Sequence, residues 1–149
     1  MDKNSDLKPG DILSRRKGLI MHKGILLDDG SVYHNTPRRG EHISSFSAFS
    51  KNRNVYAEPS DEFSREEALW GAKLYPKQRY NPLTNNCEHT VSRAANGNQR
   101  SPQLSSIFLS SGIAVATLVL TRSITLAGAG YALTRKFTKQ NLKKSSLVL

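Results

Sequence analysis

At 149 residues, the chain has room for one modest domain and an appendage. The formal charge of +10 is unevenly spread: residues 1–103 carry 16 Lys/Arg against 12 Asp/Glu, whereas residues 104–149 carry 6 Lys/Arg and no acid. The single cysteine, Cys87, excludes an intramolecular disulfide and a thiolate zinc cluster, and a free thiol suits a reducing compartment.

The start, Met1-Asp2-Lys3-Asn4-Ser5-Asp6, is polar and lacks the apolar core of a secretory signal, so a cytoplasmic main domain is expected. Lys8-Pro9-Gly10-Asp11 is a turn, residues 12–16 a short strand, and residues 19–27 a second strand. Apolar residues on both faces of the second strand predict a central position in its sheet. Asp28-Asp29-Gly30 is a turn signal and residues 31–35 the return strand. Residues 36–40 read as a loop. Phe46 and Phe49 are expected to pack from a short helix or turn, and residues 55–57 to form another strand.

Ser64-Arg65-Glu66-Glu67 has the form of a capping box, predicting a helix to about Tyr75 whose shared face holds Leu69, Trp70, Lys73 and Leu74. After a loop over residues 76–82, a second helix is expected to start with Asn85 as N-cap and Glu88 in the box position, and to stop at Asn96-Gly97. Residues 98–103 read as a linker. Residues 104–121 contain no charge, Arg122 interrupts, and the apolar run resumes to residue 134. The first run is just long enough to cross a bilayer; a spanning anchor or tight hairpin, an interfacial helix and a buried soluble helix are all compatible with it. The basic tail over residues 135–149, with Arg135, Lys136, Lys139, Lys143 and Lys144, fits contact with anionic headgroups or an ordinary solvated face. Interleaved aromatics are lacking except Phe137, and no nucleic-acid motif is present, which argues against a nucleic-acid partner.

Cys87 is the residue with the strongest chemical signal. At a helix start, free N–H groups and the helix dipole favour an anion, so a thiolate is expected to be stabilised there. His22 and His34 lie on the strands flanking Asp28-Asp29-Gly30. With a three-residue loop and Gly30 left-handed, Leu27 faces Ser31 and Gly24 faces His34, so both histidines share a sheet face as diagonal neighbours. A two-residue loop puts them on opposite faces. The shared-face register allows a nucleophile, base and orienting group: Cys87, His22 and His34. The competing reading is an inert cysteine beside sheet-filling histidines. His42, next to Glu41, is expected to be solvated.

The series Pro9-Gly10-Asp11, His22-Lys23-Gly24-Ile25, Val32-Tyr33-His34, Tyr80 and Asn86-Cys87-Glu88-His89 resembles the lecithin–retinol acyltransferase-like domain, shared with the small phospholipase A/acyltransferases. The match spans residues 7–96 in order, and the resemblance places the catalytic domain at residues 7–97. It implies an α+β, circularly permuted papain-like thiol-hydrolase fold, an antiparallel sheet packed on helices, followed by a C-terminal apolar helical segment over residues 104–134. It further implies His22 as general base, His34 as third polar member and Cys87 as nucleophile, with no metal or organic cofactor. The implied function is membrane-associated acyl transfer or phospholipase A action on phospholipid esters through an acyl-cysteine. Thr90 stands where the family usually has phenylalanine, and Lys23-Gly24 where a more apolar pair is common. A papain-like peptidase or amidase, and a non-catalytic membrane-binding module of this fold, are the alternatives.

Overall fold

The computed structural model describes residues 7–74 and 77–145, with side chains to residue 138. The polar start, Tyr75 and Pro76, and the side chains of Lys139, Lys143 and Lys144 lie outside the described residues. The chain divides into two compact units, Met1–Ser101 and Pro102–Leu149.

The first unit is α+β, with a five-stranded antiparallel sheet. Its strands are β1 (Ile12–Lys17), β2 (Ile20–Leu26), β3 (Val32–Thr36), β4 (Gly40–Ser44) and β5 (Val55–Ala57), ordered β4-β3-β2-β1-β5. As its two-sided apolar pattern predicts, β2 is central. The turn after β2 is also as expected: Gly30 has φ 76° and its N–H donates to Leu27 O at 3.0 Å. Leu27 N–H then meets Ser31 O, and Gly24 pairs with His34. β4 arises where a loop was expected, because Thr36 and Gly40 close a tight hairpin.

Helices cover both faces. Helix α1 (Phe46–Ser50) is capped by Ser45 and sends fully buried Phe49 onto Leu13, Leu26 and Val32. On the opposite face, α2 (Glu62–Leu74) and α3 (Cys87–Asn96) bury Ala68, Val91, Ala94 and Ala95 against Ile25 and Tyr33. Helix α2 starts before the expected box, since Asp61 Oδ1 accepts from Ser64 N–H at 2.7 Å. Its inner face is also different: Ala68 and Gly71 are buried, while Trp70 is 66% exposed. Helix–helix proximity explains this choice, because bulky side chains would hold α2 away from α3.

Glu41 of β4, 1% exposed, ties α3 to the sheet. It pairs with Arg93, and accepts from Thr90 Oγ1 at 2.8 Å, Tyr33 OH at 2.9 Å and Gln78 N–H at 3.0 Å.

In the second unit, α4 (Pro102–Thr121) and α5 (Ile124–Ser145) are separated at Arg122, whose φ is 54°. The charge that interrupts the apolar run therefore falls at a helix break. Gly130 of α5 faces Ile113 and Thr117 of α4, so the pair forms a hairpin. Helix α4 is long and apolar enough to cross a membrane and is scarcely buried. Thr117 and Thr121 return their hydroxyls to carbonyls four residues back, leaving few polar atoms facing outward.

Gly71 offers a direct stability test. Helix propensity alone favours alanine by about 1 kcal/mol, but a Cβ there falls into the Ala94 backbone carbonyl. Gly71→Ala is expected to lower the unfolding free energy by about 1–3 kcal/mol in urea denaturation. A gain in stability would contradict this packing.

Candidate functional site

The alternation of β2 and β3 sorts the candidate residues. His22 and His34 share the face of Phe49, with ring centroids 5.4 and 5.3 Å from it. His22 Nε2 and His34 Nδ1 are 3.0 Å apart. His34 Nε2 lies 2.8 Å from Ser44 Oγ, which itself donates to Ser45 O at 3.4 Å. Ser44 Oγ can therefore accept from His34 Nε2–H, a polarity in which His34 Nδ1 accepts from His22 Nε2–H. His22 Nδ1 is then left as the basic nitrogen.

His42 is not the solvated loop residue expected. It is half-buried on β4, directly opposite His34, with their rings 4.3 Å apart and its Nδ1 donating to Gly40 O at 2.9 Å. The placement of His42 and Ser44 beside His34 escaped the sequence reading because β4 did. The signal that could have found them is the Gly40-to-Ser44 alternation after a turn-rich segment.

Cys87 approaches from α3. Its helix is capped by Asn86, whose side chain accepts from Glu88 and His89 N–H, with His89 completing the box. Cys87 is thus the first helical residue, not the second, and Glu88 has another task. Its carboxylate accepts from Ser101 Oγ at 2.7 Å and lies 3.8 Å from Lys23, which also pairs with Glu58 at 2.6 Å. The Cys87 thiol reaches Met21 O at 4.0 Å, and the Lys23 N–H also bears on the sulfur. It sits where β2 runs on past its last pair with β3, Gly24↔His34. The structure therefore joins the two imidazoles to each other and brings the thiol against the backbone flanking His22. Among the described residues, no hydrogen bond joins thiol to imidazole in this resting arrangement.

Electrostatics hold the resting site neutral. Burial, more than any other cause, pushes His22 and His34 down to about 3. The neighbouring imidazole comes next in each case, His34 for His22 and His42 for His34, followed by Arg15. Burial also pushes the Cys87 thiol up, with Glu88 adding to it, against the Lys23 N–H and the charges of Lys17 and Lys23. The helix start does not produce a resting thiolate, because only 7% of the residue meets solvent.

Among the described residues, no group of three or more His, Cys, Asp or Glu is placed to hold a metal ion. Compared with known proteins, the chain matches no family model and no curated protein.

The histidine pair predicts a pH dependence. Its folded values lie below the ordinary 6.5, so the unfolded chain binds more protons between about 3 and 6.5. This contribution to stability is present above that window and is lost as pH falls through it. Ring signals of His22 and His34 in NMR are expected to stay those of neutral imidazole at pH 5. Titration of both near 6.5 would contradict the site.

Proposed function

We propose that the Met1–Ser101 unit is a cysteine-nucleophile acyltransferase or phospholipase A acting on phospholipid acyl esters. It would use a circularly permuted papain-like arrangement in which the histidines precede the cysteine. The observation that carries this reading is the 3.0 Å hydrogen bond between His22 and His34, with a buried thiol docked beside the strand that bears His22.

In the proposed reaction, Cys87 Sγ turns from the Met21 carbonyl and gives its proton to His22 Nδ1. The sulfur then attacks the ester carbonyl carbon. Two cap hydrogen bonds already occupy Glu88 and His89 N–H, so the Cys87 N–H is the first-turn donor left for the oxyanion. Collapse breaks the acyl C–O bond, and the leaving lysophospholipid oxygen takes the proton from His22. Water, an amine or a hydroxyl then attacks the thioester carbonyl, His22 accepts its proton, and the thiolate leaves and is reprotonated. His34 steadies the imidazolium as it forms.

The apolar helix Pro102–Thr121 supports a membrane-associated enzyme, with the α5 cations against anionic headgroups and the catalytic unit on the cytoplasmic side. A bilayer substrate also separates this reading from an amidase or peptidase with the same side chains.

The test is fatty acid release from phosphatidylcholine and, separately, from phosphatidic acid in mixed micelles. Cys87→Ala is expected to abolish release, and His22→Gln to slow it by roughly 100- to 10,000-fold. Release that survives Cys87→Ala would defeat the proposal. Activity confined to amide substrates would move it to the amidase reading, and inactivity towards both lipids and towards amides, from folded protein, to a binding module.

A further inference from the structure

The sheet face carrying the imidazoles opens into a cleft of about 590 Å3. Arg15, Lys17, Arg38, Arg39 and Lys51 line it, and among the described residues no Asp or Glu does. None of the five is ion-paired among the described residues; the ion pairs there join other cations. Four of the five are exposed, but Arg15 is not: only 4% of it meets solvent. Its Nε donates to Phe49 O and its guanidinium lies 5.5 Å from the Phe49 ring centroid. Its terminal amino groups have no acceptor among the described residues. They are not sealed from solvent either, so a largely buried side chain presents its charged end to the cleft with no carboxylate to answer it. The cations also converge on one volume: Arg15, Lys17 and Lys51 all bear on His22, and Arg15, Arg39 and Lys51 on His34.

We propose that this cleft binds a phosphate group carrying two negative charges, so that the acyl ester processed here belongs to a phosphomonoester such as an acidic lipid headgroup. The naming of an acyl ester rests on the thiol reading above, whereas the anion site does not. Guanidinium forks and ammonium groups both suit phosphate. The volume is that of a small-molecule pocket, and suits a headgroup better than a polymer track. A dianion beside the imidazoles would also favour their protonated forms, easing transfer of the thiol proton when substrate is bound.

The experiment uses the full chain and follows the His22 and His34 ring signals while adding glycerol 3-phosphate, glycerophosphocholine, or phosphatidylcholine vesicles with and without phosphatidic acid. Glycerol 3-phosphate, but not glycerophosphocholine, is expected to shift both rings. A response to phosphatidic acid vesicles alone would keep the site and make its ligand lipid-borne. The exposed double variant Arg38→Gln/Arg39→Gln is expected to weaken binding at least tenfold, with Arg15→Met as a second probe of the buried group. An Arg135→Gln/Lys136→Gln tail variant is expected to leave the ring shifts unchanged. No shift with any phosphomonoester, or equal affinity in the Arg38/Arg39 variant, would overturn the proposal. The two readings fail separately: phosphate binding with no acyl chemistry sinks the thiol reading alone. Turnover of zwitterionic lipid that is indifferent to the Arg38/Arg39 change sinks the anion site alone.

Discussion

The carboxylate of Glu41 is buried on β4, and donors from the adjacent strand, the loop before α3 and α3 itself close on it. Burial alone would raise its pKa, yet the Gln78 N–H, Thr90, Tyr33 and Arg93 together hold it below the ordinary value. Arg93 also donates to Asn85 Oδ1 at 3.1 Å, which reaches the segment just before Cys87. The position of α3, and hence of the thiol, depends on this cluster. Breaking such a buried pair by removing one partner typically costs about 3–5 kcal/mol, since the other charge is left uncompensated. The Tyr33 phenol is pushed up by burial and by Glu41, so it stays a donor.

The sheet thus separates two electrostatic regimes. On the α3 face, a buried acid is fully answered by a cation and hydroxyls. On the α1 face, cations accumulate around neutral imidazoles, and among the described residues no acid lines the cleft to answer them. The thiol lies at the margin between these faces, against the backbone of β2. In the proposed chemistry, the resting protein keeps both sulfur and imidazole uncharged, and substrate charge shifts that balance.

Much of this was legible in the chain. Asp28-Asp29-Gly30 determines the β2–β3 register through Gly30, and that register alone puts His22 and His34 on one face. What could not be read has identifiable causes. β4 hides because its buried residue is Glu41, whose polarity mimics a surface position. Thr90, at a position where an apolar contact was expected, makes sense only once it is seen to donate to that acid. The cap shifted from Asn85 to Asn86 because Asn85 is committed to Arg93 and to Arg79 O. The thiol's expected low pKa reversed because burial outweighs the dipole at a helix start. Trp70 and Leu74 followed a helical period but face outward, since α2 and α3 meet through small residues.

The central claim is that Cys87 carries an acyl group during turnover. Intact-mass measurement of the full chain after brief exposure to phospholipid vesicles tests it most directly, with phosphatidylcholine and phosphatidic acid presented separately. The account predicts an acyl-sized mass gain that is removed by hydroxylamine and is missing from Cys87→Ala. An unchanged mass with both lipids, from protein shown to be folded and to release fatty acid, would contradict it.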